Sequence, residues 1–268
     1  MRINLCISTM NERINNIFEN IENISEDINV VVCHQITDNI KLDILDYNDK
    51  INILSMNDKG LSKNRNCFLD ANLSGICVVC DDDVKYVDNF EQNIKKAYKE
   101  FPDADIITFQ VLTPDGEYYK KYSNKPFVHN KKTIARVSSV EITYKIDSIK
   151  KANVRFDEYF GLGSKYKTSE EFIFLSDCLK KGLKAVYYPL PICIHPIESS
   201  GKIFSKDILI ARGAVFYRVF GNFSYIISIL YAIKKHNLYK NNMNLINALN
   251  YLFRGIKDFK HTLKKRSK

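Results

Sequence analysis

A chain of 268 residues with 45% apolar and 26% charged side chains is long enough to close a sizeable core and too hydrophobic to be a disordered segment. Its formal charge of +9 suits phosphorylated ligands, anionic lipid or nucleic acid, and by itself does not choose among them. Seven scattered cysteines form no disulfide framework, and the opening MRINLCISTMNER has neither a long apolar run nor a small-residue cleavage site, so no signal peptide and a cytosolic protein are expected.

In chain order, residues 3–8 read as a buried strand, and residues 12–24 as a helix with Ile14, Ile17, Phe18, Ile21 and Ile24 on one stripe. Strands are predicted at 30–33, 51–54, 76–80 and 104–111, with helices at 60–73 and 90–101 between them. Such alternation argues for a mostly parallel sheet flanked by helices. Residues 113–133 lose all periodicity and read as a long polar loop. A strand at 139–144, a helix at 168–181 stopped by Gly182, and strands at 184–188 and 192–195 complete a catalytic domain over 1–200. Residues 201–268 read as a basic, amphipathic helical appendage, with helices at 206–235 and 244–265. The apolar stretch 213–233 is interrupted by Arg218 and Asn222, which argues against a membrane span.

Asp81, Asp82 and Asp83 follow the apolar run 76–80 directly, and so stand at the carboxyl edge of the sheet, where open α/β folds bind ligands. Like charges so crowded repel unless a cation neutralises them, and a hard carboxylate cluster suits Mn²⁺ or Mg²⁺. Upstream, Gly60 opens a helix carrying Lys63 and Arg65, a helix start suited to phosphate. The Cys77-x-x-Cys80 spacing could be a metal or redox motif. Within a strand, however, the two thiols point to opposite faces, so core cysteines are expected.

Together, Gly60-Leu-Ser-Lys-Asn-Arg-Asn66 and the strand ending in Asp81-Asp82-Asp83 resemble the inverting glycosyltransferases of family 2, which have the GT-A fold. The resemblance covers roughly residues 1–200 and is nearest the branch acting in capsular and surface-polysaccharide assembly. It implies a first nucleotide-binding loop at Thr9, Asn11 and Glu12, and a donor site that also uses Gly60, Lys63, Arg65, Asp81 and Asp82. Asp83 is implied as a metal ligand, with Asp81 and His195 as further ligands. The acceptor-side base is implied at Glu171, with Glu170 as the alternative. Thr168 and Glu171 also fit a helix-capping pair. Where the family has an acidic pair reading uracil, this chain has His34 and Gln35, which could bond a base edge. The donor is expected to be a nucleotide-sugar, UDP-hexose or UDP-N-acetylhexosamine, and the acceptor a glycan or lipid-linked glycan. The basic tail suggests contact with an anionic membrane surface. Nucleic acid is not expected as a partner. A nucleotidyltransferase and a non-enzymatic basic binding module are the competing readings. The first lacks a glycine-rich loop within 7–13, and the second leaves the acidic cluster unexplained.

Overall fold

The computed structural model describes residues 1–21, 24–37, 51–196 and 204–266. Four strands, β1 (Ile3–Met10), β2 (Ile28–Gln35), β3 (Ile51–Met56) and β4 (Ile76–Asp81), lie in parallel in the order β3-β2-β1-β4. They are joined through helices α1 (Asn16–Ile21) and α2 (Leu61–Asp70). Beyond β4 come β5 (Lys85–Tyr86), α3 (Phe90–Glu100), β6 (Ile106–Leu112), β7 (Phe127–Val128) and β8 (Ile142–Lys145). They are followed by α4 (Ile146–Ala152), α5 (Glu170–Lys180) and β9 (Ala185–Ile194). β8 runs antiparallel between β4 and β6, whereas β6 and β9 are parallel. The sheet is therefore parallel in its first half and mixed in its second.

Alternation along the strands sends side chains to two cores. Ile3, Leu5 and Ile7 of β1 face Ile14, Ile17 and the Phe90, Ile94, Ala97 and Tyr98 stripe of α3. Cys6 faces the opposite side with Phe68, Leu69 and the apolar residues of α5. Cys77 and Cys80 divide between these two cores, as their positions three apart in β4 require, and all seven cysteines are free thiols.

Several elements differ from the sequence reading for local reasons. The first helix starts as a 3-10 turn over Asn11–Asn15, because Asn11 takes a left-handed φ of 51°. Residues 22–23, part of that expected stripe's span, lie outside the described residues. The two short strands expected at 184–188 and 192–195 are one strand, β9, with a register shift against β6 near Pro191. The polar loop 113–133 contains β7, which pairs with β9.

After residue 204 the chain forms α6 (Lys206–Phe220), α7 (Ser224–Tyr239) and α8 (Leu245–Arg266). The sequence predicts a single helix over 206–235; Gly221, at φ 57°, and a 3-10 turn to Phe223 split it in two. α6 and α8 cross at glycines: a Cβ on Gly213 would sit 1.9 Å from the Leu252 carbonyl oxygen, and one on Gly255 1.9 Å from that of Ile210. Phe259 of α8 is fully buried against Tyr159, Phe160 and Tyr166, so the helices share the core of the sheet's α5 side. The boundary expected at residue 200 lies outside the described residues.

Candidate active site

Parallel pairing sets the carboxyl ends of β1 and β4 side by side, with Ser8 aligned to Asp81. One residue further on, Thr9 Oγ1 donates to Asp82 Oδ2 at 2.8 Å. Arg13 pairs with the other carboxylate oxygen, and Asn20 Nδ2 donates to the Asp82 carbonyl at 3.1 Å. Burial pushes the Asp82 carboxyl above the ordinary range, although Thr9 and Arg13 both oppose that shift. Asp82 and Thr9 therefore secure the turn that presents their neighbours.

Asp83 emerges from that turn. β5 then pairs antiparallel with the end of β9, Lys85 opposite Ile194, and Asp83 and His195 come together just beyond the paired residues. His195 Nε2 lies 3.4 Å from Asp83 Oδ1, and the His195 N–H donates to the Leu112 carbonyl at 2.8 Å. The imidazole holds the Asp83 carboxyl below its usual range, and Asp83 in turn raises the imidazole. The Asp83 side chain is 46% exposed, so an incoming ligand can reach it. Adjacent ligands of an octahedral ion with bonds of about 2.1 Å stand about 3.0 Å apart, near the observed separation. A carboxylate beside one imidazole, with room for water and phosphate oxygens, fits Mn²⁺ or Mg²⁺. Asp81 does not join them: among the described residues no three His, Cys, Asp or Glu side chains converge as a ligand set.

Asp81 instead faces Arg65. This guanidinium, 2% exposed, donates from Nη2 to Asp81 Oδ1 at 3.1 Å and from Nη1 to Glu170 Oε1 at 2.7 Å. Burial works against its charge, but Asp81 and Glu170 outweigh that and raise its pKa. Arg65 is thus an internal brace between β4 and α5, and its two terminal nitrogens are committed to protein carboxylates rather than to a donor phosphate. Lys63 pairs with Asp58 at 2.6 Å on the outer side of α2.

Glu170 and Glu171 begin α5. The residue before them, Ser169, is left-handed at φ 60° and its side chain caps nothing, so the Thr168–Glu171 capping pair is not formed. Glu170 is buried, and Gly161 packs so closely that a Cβ there would lie 3.2 Å from the Glu170 carboxyl. Glu171 is partly exposed. Burial first, then the charges of Glu170 and Asp81, push its carboxyl up to about 8, against the pull of Arg65. The loop ahead of α5 is fastened to α2. Ser62 Oγ donates to the Phe160 carbonyl at 2.7 Å, the Leu61 N–H to that of Leu162 at 2.8 Å, and Asn66 bonds both the N–H and the carbonyl of Phe156.

The expected base readers lie behind the rim. His34 is buried with Nε2 at 2.9 Å from the Asn11 carbonyl, and Gln35 Nε2 donates to the Gly60 carbonyl at 3.0 Å. They shape the loops at Asn11 and Gly60, whose φ of 131° only glycine tolerates readily. Asn11 holds Thr37 through both of its amide atoms, and Glu12 is exposed. Asn64, not singled out from the sequence, donates to the Cys33 carbonyl at 2.8 Å and joins α2 to the end of β2. Buried polar residues on a helix otherwise facing the sheet were the available signal. Arg13 carried none.

No protein-family model matches the sequence, and no curated protein matches it. Its fold is similar to solved structures. One is S. aureus TarS residues 1–349 in complex with UDP-GlcNAc, at TM-score 0.64 and 12% identity over 97% of this chain and 80% of that one. Against full-length S. aureus TarS the TM-score is 0.62 at 13% identity, and the chain spans about half of it, 49%. Another is the mannosyltransferase PcManGT from Pyrobaculum calidifontis in complex with GDP-Man and Mn²⁺, at TM-score 0.52 and 14% identity over 96% of this chain and 74% of that one. The nine-stranded mixed sheet, the helices on both of its faces and the terminal helices are those of a GT-A-type glycosyltransferase fold.

Proposed function

We propose that this chain is a metal-dependent, inverting glycosyltransferase that moves a sugar from a nucleotide-sugar to a glycan hydroxyl, in the manner of family 2. The observation that carries the reading is the buried Arg65. One guanidinium ties the strand-end Asp81 to Glu170, and so sets the carboxylate rim of β4 beside Glu171. Structural neighbours solved with UDP-GlcNAc and with GDP-Man and Mn²⁺ support a nucleotide-sugar donor and a divalent cation. A UDP-hexose or UDP-N-acetylhexosamine is the donor favoured, and surface-polysaccharide assembly the setting.

Asp83 and His195 would hold the cation, which when bound supplies Lewis-acid neutralisation of the departing diphosphate. The chain's own residues do the rest. Asp82, fixed by Thr9 and Arg13, keeps the acidic turn in place. Asn11, shaped by His34 and Thr37, lines the nucleotide side. Glu171 accepts the proton of the acceptor hydroxyl as that oxygen attacks the anomeric carbon. A carboxyl that titrates near 8 is, once ionised, a stronger base than an ordinary glutamate, which suits it to a sugar hydroxyl. Glu170, locked to Arg65, is occupied as a counter-ion and positions Glu171.

Glu171→Gln tests the assignment. Turnover falls by about 10²–10⁴-fold while calorimetric binding of the donor with Mn²⁺ is retained. Unchanged turnover would remove Glu171 from the role.

A further inference from the structure

The apolar stripe of α8 that the sequence offered to a membrane is not available: Ala248, Leu252, Ile256 and Phe259 are fully buried in protein. The exposed apolar surface lies on α7, which is built inside out. Its buried residues are Ser224, Ser228, Ala232 and Tyr239, and the two serine hydroxyls are buried without a partner. Its outward face carries Ile226 at 56%, Leu230 at 59% and Ile233 at 58% exposure, spaced i, i+4, i+7, with Phe223 at 71% and Leu238 at 62% at either end. A helix packed on a soluble domain turns large aliphatics inward and polar residues out. Small residues against neighbouring helices and aliphatic residues outward is instead the arrangement of helices whose outer solvent is lipid. The glycine crossing of α6 and α8 beside it belongs to the same pattern.

Charge identifies the occupant. Residues 204–266 hold twelve Lys and Arg against two Asp, so the positive excess of the whole chain, +9, is concentrated in these helices. Lys234, Lys235 and Lys240 follow the ridge directly. A second copy of the chain would bring the same cations against them, whereas an anionic bilayer complements both the ridge and its charged end. Length fixes the orientation. The apolar run Lys206–Tyr239 is broken at Gly221, and in its first half Leu209, Ala211, Ala214 and Val215 are buried. α7 alone, with 16 residues, is about 24 Å long, short of a hydrocarbon core of about 30 Å.

We propose that α7 is an in-plane membrane anchor. Ile226, Leu230 and Ile233 enter the acyl boundary of an anionic bilayer, with Phe223 and Leu238 at the ends, while Lys234, Lys235 and Lys240 meet headgroup phosphates. The anchor is independent of the transferase reading, because it is assayed with neither donor nor metal.

The test is co-flotation of the full chain with vesicles of phosphatidylcholine alone or with about 30% phosphatidylglycerol. The expected result is binding to the anionic vesicles, reduced about tenfold or more in the triple variant Ile226→Gln, Leu230→Gln, Ile233→Gln and again in Lys234→Glu, Lys235→Glu. Because the chain has no tryptophan, Leu230→Trp adds a single reporter whose emission shifts to the blue on adding anionic vesicles. Wild-type protein that stays unbound, binding that the triple variant leaves unchanged, or an emission spectrum of the Leu230→Trp variant indifferent to vesicles would overturn the proposal. So would a solution dimer that the triple variant dissociates, since the ridge would then be an interface between copies.

Discussion

Arg65 concentrates the cost and the purpose of the site in one side chain. A guanidinium that is 2% exposed stands between two carboxylates contributed by residues sixteen and 105 positions away in sequence. Removing it leaves Glu170 buried without a counter-ion, so Arg65→Met is expected to destabilise the fold by about 3–5 kcal/mol in urea denaturation. A loss below about 1 kcal/mol would mean that the brace is not formed. Glu171 gives the opposite sign. Its folded-state pKa, about 8, exceeds the ordinary 4.5, so between those values the folded chain keeps a proton that the unfolded chain releases. Stability contributed at Glu171 is therefore lost as pH rises through that window. Glu171→Gln should melt like wild type near pH 4 and be more stable on the order of 1–3 kcal/mol at pH 8.5. An equal difference at both pH values would show that Glu171 is not shifted. The role of Arg65 was not legible in the sequence. A cation at a helix start reads as a phosphate contact, and only the tertiary approach of α5 reveals that its two terminal nitrogens already meet carboxylates.

Among the elements, the strands and helices of the first half were legible because period-2 and period-3.6 patterns are strong where both faces of a parallel sheet are buried. The acidic turn was legible too, since Asp81–Asp83 follow an unbroken apolar run. What escaped was set by contacts distant in sequence. The two-residue strands β5 and β7 exist only because β9 is there to pair with them. The helix break at Gly221 was masked by apolar residues on both sides. The meeting of Asp83 and His195 depends on the register of β5, a strand too short to carry a pattern. The α6–α8 crossing is a sharper case, because nothing local marks Gly213 and Gly255 as a contact. With each Cβ position 1.9 Å from a facing carbonyl oxygen, Gly213→Ala and Gly255→Ala must force the helices apart. Each should cost about 3 kcal/mol, a fall of roughly 6–12 °C in melting temperature. A shift under about 2 °C would contradict the close crossing.

Across the whole molecule, the terminal helices and the segment that carries Glu170 and Glu171 form one packed unit. Tyr166 Oη donates to Asp258 Oδ2 at 2.6 Å, and Arg218 binds both Asp157 and Asp177 at 2.6 Å, joining α6 and α8 to the loop and helix that carry Glu170 and Glu171. The Asp83–His195 pair, just beyond the ends of β4 and β9, keeps its carboxylate 46% exposed, and it is there that we propose the cation is held. The most direct measurement is therefore release of nucleoside diphosphate from UDP-GlcNAc, other UDP-sugars and GDP-Man, with Mn²⁺ or Mg²⁺ and after chelation, in wild type and Asp83→Ala. Wild type should release nucleoside diphosphate from at least one donor only when the cation is present, and Asp83→Ala, folded as wild type, should be slower by about 10²-fold or more. No release from any donor, or release that neither chelation nor loss of Asp83 diminishes, would contradict a metal-assisted sugar transfer at this rim.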